Sequence, residues 1–85
     1  MINKYMRELS NIKTWDSVQG IETLSNGMEF IDTAGHGYLV VPNEHALIEE
    51  AKKIVKFGFE GIHAVYLEED CEAPEFLKIL KGGTK

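Results

Sequence analysis

Apolar residues recur at helical spacing in three stretches of the chain. The first stretch predicts a short amphipathic helix at about residues 2–10. The main helix is predicted at 43–57, with Asn43 as its N-cap and Gly58 in position for a left-handed C-cap. Its apolar stripe consists of Leu47, Ile48, Ala51, Ile54 and Val55. A short last helix is predicted around Pro74, because proline is tolerated in a first helical turn.

Short β-prone runs separated by turn residues predict strands between these helices. An Asn-Gly pair separates the first two runs, and it favours a hairpin because both residues tolerate positive φ. The third run ends at Pro42, which cannot donate to a strand ladder. Together the three runs predict an antiparallel meander over residues 18–41, and a further strand is predicted at 63–67.

The register of the first hairpin stays open at this level. A two-residue loop pairs Thr23 with Phe30, whereas a three-residue loop pairs Thr23 with Glu29. Neither register leaves one face of the hairpin cleanly apolar, so the hydrophobic pattern does not select between them.

These elements predict an α+β fold. We expect a small antiparallel sheet, made of the meander plus one strand, to pack against one main helix, with the short terminal helices covering the remaining edges. The helix stripe should meet four residues of the sheet, namely Ile21, Phe30, Leu39 and Val41. A chain of 85 residues has room for one core, so residues 1–85 are expected to form a single domain with a flexible tail at 82–85.

Composition and charge narrow the classes of function. The formal net charge is −5, which disfavours a general attraction to nucleic-acid phosphates or anionic lipid and favours a basic or neutral protein partner. The single cysteine, Cys71, excludes an internal disulfide and a four-cysteine zinc site, and it suits a reducing cytoplasm. No apolar run approaches the roughly 18 residues that a membrane span needs. We expect no cofactor, no direct contact with nucleic acid and a cytoplasmic location.

The segment Thr33–Tyr38 is the first that could carry chemistry. It places His36 between Gly35 and Gly37, where the sheet is predicted to turn. The imidazole there could act as a base, a ligand or a hydrogen-bond anchor. The commoner alternative is a turn histidine that bonds to its own loop.

The second such segment holds four carboxylates within the five residues 68–72. If it is extended, Glu68, Asp70 and Glu72 line one face. Crowded carboxylates suit a hard metal ion such as Mg²⁺, a general acid or a basic partner surface. The alternative is a solvated acidic segment that complements the positive N-terminal end of the following helix.

The two segments together also suggest an enzyme hypothesis. His36 and Cys71, with a carboxylate, would form a nucleophile, base and orienting group, since cysteine–histidine pairing is the usual way to activate a thiolate. Spacing does not decide whether they meet. The chain contains no nucleophile-elbow motif and no complete phosphate-binding loop.

The same two segments resemble an uncharacterised domain family found in phage and plasmid proteins. That family carries a motif of the form T-P-S-H-G-G, an apolar strand and a helix, and then a motif of the form W-Y-E-E-D-C-D/E-W. The first motif is matched at Thr33, His36 and Gly37; the second is matched at 68–72, with Tyr66 at its first aromatic position. The departures are Ala34, Gly35, Tyr38, Leu67 and Ala73. The resemblance spans roughly residues 15–73.

The resemblance implies an accessory protein of a mobile genetic element. From this context we hypothesise a protein that binds a basic surface of a host nucleic-acid enzyme, with an anti-CRISPR or antirestriction role as the sharpest form. The predicted partner-binding residues are Glu68, Glu69, Asp70, Glu72, His36 and Tyr38. The alternatives are a small metal-dependent or Cys/His enzyme built on His36 and residues 68–72, and a structural role in which His36 holds the sheet turn against the last strand. Oligomeric state is left open.

Overall fold

The described residues form a sheet of five strands, all antiparallel, in the order β1-β2-β3-β5-β4. It is seen in a computed structural model that describes residues 4–12, 17–24 and 27–82. Three helices within these residues accompany the sheet, which confirms the predicted α+β fold. In chain order the elements are α1 (Lys4–Ile12), β1 (Val18–Thr23), β2 (Glu29–Thr33), β3 (Gly37–Pro42), α2 (Ile48–Ile54), β4 (Phe59–Glu60), β5 (Ala64–Glu68) and α3 (Ala73–Gly82).

The predicted meander is present as β1, β2 and β3, and the structure selects the register of its first hairpin. Thr23 pairs with Glu29, and the N–H of Leu24 donates to the carbonyl of Met28 at 2.9 Å. Gly27 adopts a positive φ of 77°, which a residue with a side chain rarely does. Asn26 lies outside the described residues.

Helices α2 and α3 cover one face of the sheet. The buried cluster on this face consists of Met28, Leu39, Val41, Ala51, Val65, Leu67, Ala73 and Phe76. Of the predicted sheet contacts, Leu39 and Val41 belong to this cluster. Ile21 does not, because it pairs with Ile31 and therefore points to the opposite face, where it is 41% exposed. Phe30 pairs with Leu39 but lies outside the cluster.

Helix α1 covers the other face, which corrects the expectation that the terminal helices only cover edges. Its Leu9 is buried in a second cluster with Ile31, Tyr38, Val40, Ala64 and Tyr66. Strand β3 lies between the two clusters, and all of its residues are buried. A strand covered on both faces has a continuous apolar sequence.

The bounds of the main helix were predicted wrongly. Helix α2 begins five residues later than expected, because Asn43 does not cap it: the Asn43 side chain instead donates to the carbonyl of Ile62 at 2.6 Å. It ends at Ile54, and Val55 is already extended. Gly58 is not a left-handed C-cap but packs against the carbonyl of Tyr66, where a Cβ atom would overlap.

Strand β4 is the element that sequence patterning missed. Phe59, which directly follows the predicted C-cap residue Gly58, pairs with Tyr66 of β5. Strand β5 itself begins one residue later than predicted. Gly82, the first residue of the predicted tail, is the last residue of α3, and residues 83–85 lie outside the described part. None of the described helices has the length and apolar character needed to cross a membrane.

Candidate functional site

The acidic segment is a turn rather than an extended strand. Strand β5 ends at Glu68, and the N–H of Cys71 donates to the Glu68 carbonyl at 3.1 Å. This turn leads directly into α3. The alternation that would place Glu68, Asp70 and Glu72 on one outward face therefore does not apply.

Glu72 is turned inward, and the expectation that it faces a partner is wrong. It is only 4% exposed, and its carboxylate accepts hydrogen bonds from the backbone N–H groups of Lys56 (2.7 Å), Phe57 and Glu68 (3.0 Å). Burial alone would raise its pKa, but these backbone donors stabilise the charged form and lower the pKa below its usual range. Glu72 thus fastens the loop after α2 to the start of α3.

Glu68 contacts two of the residues that the sequence singled out. One carboxylate oxygen lies 3.4 Å from Nδ1 of His36, and the other accepts from Sγ of Cys71 at 2.9 Å. The Glu68 side chain is 16% exposed. The structure therefore brings His36, Glu68 and Cys71 together, with the carboxylate between the other two.

An arrangement with the carboxylate between the imidazole and the thiol does not activate the thiol. A nucleophilic cysteine needs a histidine or a positive charge at its sulfur to stabilise the thiolate, whereas Cys71 faces the negative charge of a carboxylate. The hydrogen bond to Glu68 raises the pKa of the Cys71 thiol to about 11, with burial and the Glu68 charge adding to the effect. Cys71 is exposed but is held as the neutral thiol at neutral pH.

The turn around His36 is stabilised by Thr33 more than by the imidazole. The Thr33 hydroxyl donates to the carbonyl of His36 at 2.8 Å and accepts from its N–H at 3.0 Å. The imidazole is 41% exposed, so its contact with the Glu68 carboxylate contributes little to stability. Next to it, the N–H of Glu69 donates to the carbonyl of Gly37 at 2.9 Å. The Glu68–His36 contact and the Glu69–Gly37 hydrogen bond join the turn to the end of β5.

Tyr38 is also placed differently from the prediction of a partner-binding residue. It is 0% exposed and lies in the cluster beneath α1, with its ring 5.6 Å from that of Phe59. A side chain in this position supports the sheet and does not reach the surface.

Among the described residues, three further carboxylates at this end of the sheet are exposed. Glu69 and Asp70 lie in the turn after β5. Asp32 of β2 is also exposed, and it pairs with Gly37. The Glu69 carboxylate lies close to the same glycine, since a Cβ atom built on Gly37 would be 2.7 Å from it. None of the three forms an ion pair with another described residue. We call Asp32, Glu69 and Asp70 the acidic surface.

Glu8 is a structurally important residue that sequence analysis did not single out. Its carboxylate accepts from the Tyr66 hydroxyl (2.7 Å) and from the N–H groups of Ile62 and His63 (3.1 Å). Burial opposes ionisation, but these donors lower the pKa of Glu8 overall. Its partners are more than fifty residues away along the chain, so no local pattern could have revealed them.

Metal binding finds no preformed site in the described part of the chain, where no three His, Cys, Asp or Glu side chains are grouped to hold an ion. Comparison with protein-family models, with curated proteins and with solved structures gives no match to this chain.

Proposed function

We propose that this chain is a small acidic accessory protein of a mobile genetic element that acts by binding a basic surface of a host protein. The target in the sharpest form of the proposal is a nucleic-acid enzyme of a CRISPR or restriction system in the host cytoplasm. The acidic surface carries this proposal, because its carboxylates are exposed and form no ion pair with another described residue. Such charges speed the encounter with an oppositely charged partner.

Two further observations support binding over catalysis. The net charge of −5 makes the whole molecule attractive to a basic surface. The groups that an enzyme would need are engaged within the fold: Glu72 binds backbone N–H groups, and Glu68 holds Cys71 as a neutral thiol. The resemblance of 33–38 and 68–72 to phage and plasmid proteins supports the mobile-element context.

The experiment compares charge reversal inside and outside the acidic surface. Glu69→Lys changes the acidic surface, whereas Glu44→Lys makes the same charge change at an exposed residue beyond the other end of β3. Each protein is expressed in bacteria that carry a CRISPR or restriction system and are challenged with phage. Proteins retained on the immobilised variants from the same cells are identified by mass spectrometry.

We expect the wild type and Glu44→Lys to restore plaque formation and to retain a nucleic-acid enzyme, and Glu69→Lys to lose both. The difference between Glu69→Lys and the wild type should be largest at low salt, because salt screens the charge pairs at an interface. Equal retention by Glu69→Lys and Glu44→Lys would reject the acidic surface as the binding site.

A further inference from the structure

An apolar groove opens beside the acidic surface, between the end of the β1–β2 hairpin and α3. It encloses about 390 Å³. Six apolar residues line it: Leu24, Phe30, Leu39, Ala73, Pro74 and Leu77. We call it the α3 groove.

The apolar side chains of the groove are open to solvent in part. Leu77 of α3 is 45% exposed, and Phe30 and Leu24 are half-buried. Apolar side chains grouped in a concavity, unlike apolar residues scattered singly on a surface, indicate a place where another apolar group binds.

Two carboxylates flank this groove. Glu22 of β1 and Glu69 of the acidic surface both line it, and both are exposed. Because neither forms an ion pair with a described residue, the groove has an apolar floor and a negative rim.

The charge of the rim selects among the candidate occupants. A second copy of this chain would bring a further net charge of −5 against a rim that is itself negative, which opposes association. A segment with lysine or arginine on either side of an apolar side chain satisfies both features, since its apolar group fills the groove while its cations meet Glu22 and Glu69.

We infer that the α3 groove binds an apolar side chain of the partner protein, presented between basic residues. This inference rests on the proposed function and deepens it, because it names the chemistry of the segment that the acidic surface attracts. The acidic surface supplies the attraction, and the groove supplies the anchor that distinguishes one basic partner from another.

The test uses synthetic peptides as probes. One has a Leu-Phe-Leu centre between two pairs of lysines, a second has a Ser-Gly-Ser centre with the same lysines, and a third has the apolar centre between glutamates. Binding is measured by fluorescence polarisation at about 50 mM and about 300 mM salt. The two conditions separate the contribution of charge pairs, which salt screens, from the apolar contribution, which it does not screen. Amide NMR spectra locate the binding site on the protein.

We expect the lysine-flanked apolar peptide to bind most tightly and to shift the resonances of Leu39, Ala73 and Leu77. Leu77→Ser should weaken its binding about tenfold, since one apolar anchor contributes on that scale. Ile62→Ser removes an apolar residue that is 82% exposed and lies outside the groove, so it should leave the affinity unchanged. Glu22→Gln combined with Glu69→Gln should weaken binding and reduce its salt dependence.

The outcomes separate this inference from the proposed function. If both lysine-flanked peptides bind equally, and Leu77→Ser has no effect while Glu69→Lys abolishes binding, the groove inference is overturned and the acidic surface stands. Resonance shifts that leave Leu39, Ala73 and Leu77 unaffected, or no binding of the apolar peptide, also overturn the inference. The proposed function is then judged by the infection and retention experiments alone.

Discussion

Glu68 shows how a single side chain can change the chemistry expected of its neighbours. Its carboxylate contacts both His36 and Cys71, two of the residues that an enzyme hypothesis requires. Yet a negative group at the sulfur favours the thiol over the thiolate. Proximity of the expected residue types is therefore not enough, because their order in space decides whether a nucleophile is activated.

The reactivity of Cys71 tests this arrangement directly. At pH 8 its alkylation by iodoacetamide should be at least about tenfold slower than that of an unperturbed exposed thiol, because a pKa of about 11 leaves little thiolate. Glu68→Gln removes the charge and should increase the rate. The rate is followed by mass spectrometry across pH.

The comparison variant for the alkylation experiment is Asp70→Asn, which removes a charge from the same turn without touching the sulfur hydrogen bond. It should change the rate much less than Glu68→Gln. A wild-type Cys71 that reacts as fast as a free exposed thiol would contradict the assigned hydrogen bond.

At the scale of elements, the sequence predicted element types better than it predicted element ends. The Asn-Gly pair and the run ending at Pro42 gave a meander that the structure contains. Asn43 and Gly58, by contrast, have residue types suited to helix caps, but distant partners use them differently: Asn43 bonds to Ile62, and Gly58 lies against Tyr66. Long-range contacts therefore override local capping preferences.

Gly58 provides a prediction at this scale. Gly58→Ala should lower the free energy of unfolding by about 2–3 kcal/mol, because the added Cβ overlaps the carbonyl of Tyr66 in β5 and the backbone must shift. Urea denaturation followed by circular dichroism measures the change.

Gly20→Ala is the matched control for the Gly58 experiment, because open space surrounds the position of its Cβ atom. Gly20→Ala should change the free energy of unfolding by no more than about 0.5 kcal/mol. If the two alanine variants unfold at the same urea concentration, Gly58 does not have the close approach described above.

At the scale of the whole molecule, two carboxylates connect parts of the fold that are distant along the chain. Glu8 fastens α1 to the turn between β4 and β5 and to Tyr66, and Glu72 fastens the loop after α2 to the start of α3. Hydrogen bonds lower the pKa of both carboxylates, so both groups must be ionised for the folded state to keep these hydrogen bonds.

Acid should therefore destabilise the protein. These two groups are more readily protonated in the unfolded chain, where a glutamate titrates near pH 4.5, than in the folded one. Their contribution is complete above that pH and is lost as the pH falls through 4.5 towards the lower folded-state values. Thermal denaturation between pH 7 and pH 3 measures this fall.

The Glu8→Gln and Glu72→Gln variants separate the contribution of these two carboxylates to the pH dependence of stability from that of the other titratable groups. Each variant should lose about 2 kcal/mol of unfolding free energy at pH 7, because the neutral amide cannot replace all the charge-assisted hydrogen bonds of the carboxylate. Each should also show a flatter dependence of stability on acid. Glu75→Gln, at an exposed residue of α3, should keep the wild-type pH dependence. An unchanged slope in both of the first two variants would contradict the role given to these residues.

The sequence by itself determined the α+β class, the three-stranded meander and the net negative charge, because hydrophobic periodicity, turn residues and composition are local or additive properties. Only the tertiary structure decided which carboxylates are accessible. Glu72 and Glu69 look alike in the sequence, but the Glu72 carboxylate binds backbone N–H groups of a distant loop, whereas the Glu69 carboxylate binds none in the described part of the chain and stays exposed. Whether a charge is used within the fold or presented to a partner depends on which groups folding brings beside it.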